Sequence, residues 1–84
     1  MTIDSAEKVG IVTTTPGSYE AEASQLVVGT NSGNNGITIA SGTSNTGNIY
    51  FADGTSSNEK YRAFISFSHS TEDLSFATAA NIRM

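Results

Sequence analysis

The residue with the most obvious chemical potential in this chain is its sole histidine, His69, in the stretch "SHSTED". A Ser-His-Asp arrangement for nucleophilic catalysis needs a serine that projects from a strand-to-helix elbow and a carboxylate that orients the histidine. The serines beside His69 instead lie in a short polar stretch typical of a turn. We therefore interpret His69 as a surface loop residue and predict that the chain is not an enzyme and has no catalytic residues.

The segment "DGTSSNE" has oxygen-bearing side chains at alternate positions, namely Asp53, Thr55, Ser57 and Glu59. Such spacing could wrap ligands around calcium, but the EF-hand template also requires a bidentate glutamate at its twelfth position, where this chain has Phe64. A hairpin loop uses the same residue types to form its turn. We predict neither a metal site nor a bound cofactor.

Two carboxylate pairs, Asp53 with Glu59 and Glu72 with Asp73, have the residue types that hydrolyse glycosides. That reaction also needs an apolar pocket that raises the pKa of one acid, and a cleft that holds the sugar. The chain has no tryptophan to stack on a sugar ring. We predict that neither pair is catalytic.

Phosphate and nucleic-acid binding are also disfavoured by the sequence. The glycines of "GTNSGNNG" do not follow the dinucleotide fingerprint, and a predicted strand rather than a helix comes next. The chain has four cationic residues and eight carboxylates, which give it a net charge of −4. A chain without a basic patch is not expected to bind nucleic acid.

The three tyrosines leave two interpretations open. Tyr19, Tyr50 and Tyr61, together with nearby Asn and Thr residues, could form an exposed surface that contacts a sugar or a receptor. Alternatively, the tyrosines lie half-buried at strand positions or subunit boundaries, and we prefer this second interpretation.

Short apolar runs with period two predict an all-β fold, because successive side chains of a strand point to opposite faces. Loops rich in Gly, Asn and Ser separate the runs at intervals of roughly ten residues. A single helical turn within Ser18 to Leu26 remains open. The predicted strands are "KVGIVT" (8–13), "QLVVG" (25–29), "GITIA" (36–40), "NIYFA" (48–52), "YRAFISFS" (61–68) and "DLSFAT" (73–78).

The last two runs predict an antiparallel hairpin that turns at His69 to Glu72. Alternation requires Leu74 and Phe76 to share a face. Whether Phe64 or Phe67 lies on that face depends on the register, which the sequence leaves open.

The chain is poor in large apolar residues, since Ile, Leu, Val and Phe number 17 of 84. It has no cysteine for disulfides, and no apolar run approaches the ~18 residues of a membrane span. Nor does the N-terminus have the basic-then-apolar order of a secretory signal, so we expect a soluble protein without membrane insertion. A short chain with few core residues is expected to complete its core with copies of itself.

Longer stretches of the sequence resemble a known family. "GNIYFADGTSSNEKYRAFISFSHSTEDLSFATAANIRM" (47–84) is similar to the repeat segments of bacteriophage tail-fibre and tailspike-like proteins, particularly of marine phages, that precede an endosialidase-type intramolecular chaperone domain. These repeats end in an "RM" pair. "SQLVVGTNSGNNGITIASGT" (24–43) resembles the opening strands of the same repeat.

The N-terminal segment "TIDSAEKVGIVTTTP" is similar to the connector "RIDSSGNVGIGTTSP" that joins one repeat to the next. Two positions depart from this connector: Ala6-Glu7 replaces a Ser-Gly pair, and Val12 replaces a glycine. On this resemblance, residues 1–18 form a connector and residues 19–84 form a β-hairpin repeat domain.

The resemblance implies an all-β fold of short antiparallel strands and hairpins, assembled as an elongated homotrimer. It implies a structural component of a phage tail fibre, a virion protein that lies outside the cell and holds a distal receptor-binding or chaperone domain for host attachment. Its partners would be further copies of the chain, other fibre segments, and a host surface glycan or receptor. The alternative is a receptor- or glycan-binding module of a fibre tip. The candidate residues for a shared core are Leu26, Val28, Ile37, Ile39, Ile49, Phe51, Ile65, Phe67, Leu74 and Phe76.

Overall fold

The structure of the chain, a computed structural model, describes residues 1–83. Met84, the end of the predicted repeat domain and of its "RM" pair, lies outside the described residues. The chain divides into two compact units, Met1–Thr38 and Ile39–Met84, so the expected connector boundary after residue 18 falls inside the first unit. The all-β prediction is confirmed, because residues 1–83 form seven strands in two sheets and no α-helix.

The first unit contains a three-stranded sheet in the order β1-β2-β3, built from Thr2–Ile3, Val9–Ile11 and Leu26–Val28. β1 and β2 are antiparallel, whereas β2 and β3 are parallel. The prediction of antiparallel strands is therefore wrong for this second pair. Residues 12–25 join the two strands of this pair. The connection is long enough to bring the chain back to the end of the sheet at which β2 begins, as parallel pairing requires.

The turn between β1 and β2 is organised by Asp4. Its carboxylate Oδ1 accepts hydrogen bonds from the backbone N–H groups of Ala6 at 3.0 Å and Lys8 at 2.9 Å. The Glu7 N–H donates to the Asp4 carbonyl at 2.9 Å, and Glu7 has a positive φ of 62°. A side chain that accepts from its own turn fixes the reversal locally.

The connection between β2 and β3 contains two single turns of 3₁₀-helix, Pro16–Ser18 and Ala21–Ala23. The second lies within the segment for which a helical turn was left open. Pro16 is fully buried, and its ring suits the first position of a helical turn, where no backbone donor is needed.

The second unit contains an antiparallel meander in the order β4-β5-β6-β7. Its strands are Thr46–Phe51, Ala63–Ser68, Asp73–Thr78 and Asn81–Ile82. The predicted hairpin is confirmed, with Ser68 opposite Asp73 across the four-residue turn.

The register decides which aromatic residues share a face. Phe67 lies opposite Leu74, and Ile65 lies opposite Phe76. Residues directly opposite in an antiparallel pair point to the same side of the sheet. Phe67 is thus on the face of Leu74 and Phe76, and Phe64, which pairs with Ala77, is on the other face.

The predicted strand at residues 61–68 begins two residues later than expected, at Ala63. A 3₁₀ segment, Ser57–Tyr61, precedes the strand. The Glu59 carboxylate caps the N-terminal end of this segment, because its Oε1 accepts a hydrogen bond from the Ser56 N–H at 3.2 Å. This local capping bond competes with strand pairing at Tyr61.

The strand predicted at residues 36–40 is not formed, and that prediction is wrong for the single chain. Residues 36–40 make no backbone-to-backbone hydrogen bonds with any residue of 1–83. A strand exists only where a neighbouring backbone completes its ladder, and the single chain provides none here.

The interior of the chain is small. Apart from two glycines, the buried residues among 1–83 are the apolar Ala77 and Pro16 and the polar Thr13 and Ser24. None of the ten candidate core residues is buried: Val28, Ile65 and Phe67 are half-buried, and the other seven are exposed. A single copy of this chain leaves its large apolar side chains in contact with solvent.

Candidate interaction surface

The most distinctive surface of the second unit is one side of its sheet, which we call the apolar face. The ladder places large apolar side chains together there, and no strand position on this side carries a charge. The residues of the apolar face are Ile49, Phe51, Ile65, Phe67, Leu74 and Phe76.

Four members of the apolar face are largely solvent-exposed. Ile49 is 45% exposed, Phe51 57%, Leu74 55% and Phe76 38%. Together these fractions amount to about two whole side chains, and burying that much apolar surface contributes roughly 3–6 kcal/mol. Covering the apolar face would therefore stabilise the protein substantially.

A shallow groove of about 210 Å³ crosses the apolar face. Ile39, Gly47 and Leu74 are among the residues that line it. His69 also borders the groove, and its ring stands edge-on against Phe67 at a centroid distance of 4.9 Å. The histidine expected to be a loop residue is half-buried at the start of the turn, packed against an aromatic ring.

The opposite side of the sheet has an aromatic cluster of Tyr50, Tyr61 and Phe64. The Tyr50 and Phe64 rings lie 5.5 Å apart, and Tyr61 lies 6.2 Å from Tyr50 and 6.5 Å from Phe64, all tilted or edge-on. Tyr50 remains 55% exposed and Tyr61 38% exposed. Tyr19 belongs to the first unit, so the three tyrosines divide between two units.

In the loop considered for calcium, residues 53–59, oxygen atoms of Glu59 accept hydrogen bonds from backbone N–H groups of the same loop. The Asp53 N–H donates to the Glu59 carbonyl at 2.9 Å, and the Glu59 carboxylate caps the Ser56 N–H. A Cβ at Gly54 would overlap this carboxylate. Within residues 1–83, no group of three or more His, Cys, Asp or Glu residues is arranged to hold a metal ion.

The remaining polar candidates are arranged as turns. Glu72 and Asp73 are both exposed at the tip of the β5–β6 hairpin, where Glu72 has a positive φ of 59°. In the loop considered for phosphate, the Asn35 side-chain amide donates to the Thr30 carbonyl at 3.0 Å, which closes the loop on itself.

The sequence contains no signal for a contact between the side chains of Lys8 and Ser24, which are 16 positions apart in the chain. The Lys8 ammonium donates a hydrogen bond to the Ser24 hydroxyl. Serine-lysine pairs serve as nucleophile and base in some hydrolases. Ser24 is fully buried, however, so a substrate cannot reach it, and the bond ties the start of β2 to the residues before β3.

Comparisons with protein-family models, with curated proteins and with solved structures gave no match. The inference of function therefore depends on the geometry above and on the quoted motifs. No helix formed by residues 1–83 has the length and apolar character that a membrane crossing requires.

Proposed function

We propose that the chain is a structural segment of a bacteriophage tail fibre that self-associates, as a homotrimer, into a rigid stalk. The observation that carries this proposal is the uncharged, solvent-exposed apolar face of the second unit. Exposed apolar patches of this kind mark interaction surfaces in soluble proteins. A stalk built from several copies is the use that this face and the small interior fit best.

The backbone of the N-terminal segment supports the likeness to the fibre connector. The two positions where the connector has glycine and this chain does not, Glu7 and Val12, have positive φ values of 62° and 75°. This left-handed region favours glycine and is disfavoured for a β-branched residue. At Gly10, where both sequences have glycine, a Cβ would lie 2.5 Å from the Thr13 carbonyl oxygen. The segment thus has glycine-type geometry at all three positions.

In the proposed stalk, the apolar faces of the copies meet around a common axis. Closed symmetry lets the same face of each copy be covered by its neighbours, which leaves the polar loops in water. The role is mechanical: the stalk joins other fibre segments and holds a distal receptor-binding or chaperone domain. This places the protein in the virion, outside the cell during host attachment.

The proposal is tested by measuring the mass in solution with sedimentation equilibrium over a range of protein concentrations. We expect three times the single-chain mass of 8.7 kDa. In a second arm, Leu74→Lys puts a charge on the apolar face, and we expect it to shift the protein to the monomer because an unpaired buried charge is costly.

The matched control is Ser75→Lys, one residue along the same strand and on the opposite side of the sheet. We expect this variant to keep the mass of the unmodified protein. A cooperatively folded monomer at every concentration, or equal effects of the two lysines, would contradict the proposal.

A glycan- or receptor-binding module is the second candidate, and the exposed aromatic cluster on the other side of the sheet favours it. Tyr50 and Tyr61 offer partly exposed rings of the kind that stack on sugars, beside polar loops that could donate hydrogen bonds. Binding on a glycan array that is lost in Tyr50→Ala and retained in Leu74→Lys would support this function over the stalk.

A further inference from the structure

The segment Gly36–Ala40 combines strong strand-forming residues with a complete lack of pairing. Its central Ile37, Thr38 and Ile39 are all β-branched, the class most favoured in strands. All five residues are exposed, with Ile37 at 69% and Ile39 at 46%. The sequence predicts a strand here, and the single chain offers it no partner backbone.

An open sheet edge of suitable length and character lies in the second unit. β4 pairs with β5 on one side, and no other strand of residues 1–83 pairs with it on the other. Neither β4 nor the segment Gly36–Ala40 contains a charged residue. Long uncharged edges accept a further strand readily, because their backbone groups are already aligned.

Within one chain the segment does not occupy that edge. A Cβ built on Gly47 would lie 3.5 Å from Ile39 Cγ2 and 3.2 Å from the Ser41 hydroxyl. Side chains stand roughly perpendicular to the plane of a sheet. Ile39 therefore passes over the apolar face at Gly47 and not beside β4 in the plane of the sheet, so the edge stays open.

We propose that Gly36–Ala40 of one copy adds as a strand to the open β4 edge of a second copy. Ile37 and Ile39 would then share one side of the added strand and extend the apolar face beside Ile49 and Phe51. A second copy fits as the occupant because it supplies both the strand and the edge.

This inference rests on the self-association of the proposed function and is tested separately by hydrogen exchange. The amides of Ile37 to Ala40 have no backbone acceptor among the described residues, 1–83. Because an added strand directs only alternate N–H groups at its neighbour, we expect the protection of two alternate amides among these four to rise by ~10-fold or more between a dilute sample and a concentrated one, in step with the mass measured by sedimentation.

Proline variants identify the hydrogen bonds responsible. Ile37→Pro and Thr38→Pro each remove one backbone donor and hold the preceding residue in an extended conformation. Because successive N–H groups of a strand point to opposite sides, one of these two variants must remove a donor that faces β4. The matched control is Thr43→Pro, in the turn that the Asn45 N–H closes on the Gly42 carbonyl, where proline is well accommodated. We expect one of Ile37→Pro and Thr38→Pro to abolish the concentration-dependent protection and Thr43→Pro to leave it unchanged.

The possible results separate this inference from the proposed function. An oligomer in which these amides stay unprotected overturns the strand exchange and leaves the stalk proposal standing. Protection in a sample that sedimentation shows to be monomeric means pairing within one chain and also overturns the strand exchange. A monomer throughout removes both proposals.

Discussion

The two-residue turn between β6 and β7 holds two alanines in a conformation that alanine disfavours. Thr78 pairs with Asn81, and Ala79 and Ala80 between them have φ values of 52° and 61°. Positive φ at both central positions defines a type I′ turn, for which Asn-Gly is the preferred sequence. We predict that the double variant Ala79→Asn, Ala80→Gly is more stable than the natural chain.

The expected gain follows from two opposing costs. A left-handed conformation costs a non-glycine residue ~1–2 kcal/mol, and glycine costs ~0.5–1 kcal/mol more chain entropy than alanine. Ala80→Gly should therefore raise the free energy of unfolding by about 0.5–1 kcal/mol, with a few tenths more from Ala79→Asn. The Ala80 N–H keeps its 2.9 Å bond to the Arg62 carbonyl, because the substitution leaves the backbone in place.

Urea unfolding at one fixed protein concentration measures this gain, since self-association makes apparent stability concentration-dependent. The matched control is Ala52→Gly, an exposed alanine after β4 without positive φ, which should lose up to ~1 kcal/mol. If Ala80→Gly destabilises the chain as much as Ala52→Gly does, the strain ascribed to this turn is refuted.

Three further substitutions test other local features by the same unfolding measurement. Val12→Gly should stabilise the chain by ~0.5–1 kcal/mol because φ at this exposed position is positive, and any loss of stability would contradict this reasoning. Gly54→Ala should cost ~0.5–1.5 kcal/mol, since the new methyl group displaces the Glu59 carboxylate from its capping bond, and a neutral result would mean that the bond contributes little. Phe64→Ala should cost about 2 kcal/mol by removing the ring that Tyr50 packs against, and a change within ~0.5 kcal/mol would show that this cluster does not hold the sheet together.

Much of the second unit followed from its sequence, because its signals are local. The alternation in "DLSFAT" gave the β6 strand at its observed bounds, and the polar stretch after Ser68 gave the turn. The strand before it was predicted two residues too long, since the capping bond from Glu59 was not recognised. The first unit was harder to predict, because the parallel β2–β3 pair depends on two segments that a long connection separates.

The candidate site was only partly visible in the sequence. Alternation required Leu74 and Phe76 to share a face, but a shift of one residue in register would have exchanged Phe67 for Phe64 on it. The contact between Lys8 and Ser24 had no signal in the sequence, because it arises only when the segment before β3 folds back beside β2.

By itself, the sequence determined the β character of this protein, the positions of most strands and the shortage of large apolar residues. Those properties follow from side-chain alternation and composition, which each segment carries wherever it lies. Tertiary structure decided which strands pair, which apolar side chains form one face, and that "GITIA" has no pairing partner among residues 1–83. Pairing and burial are relations between distant segments, and their free energy depends on which backbone or side chain comes to lie opposite.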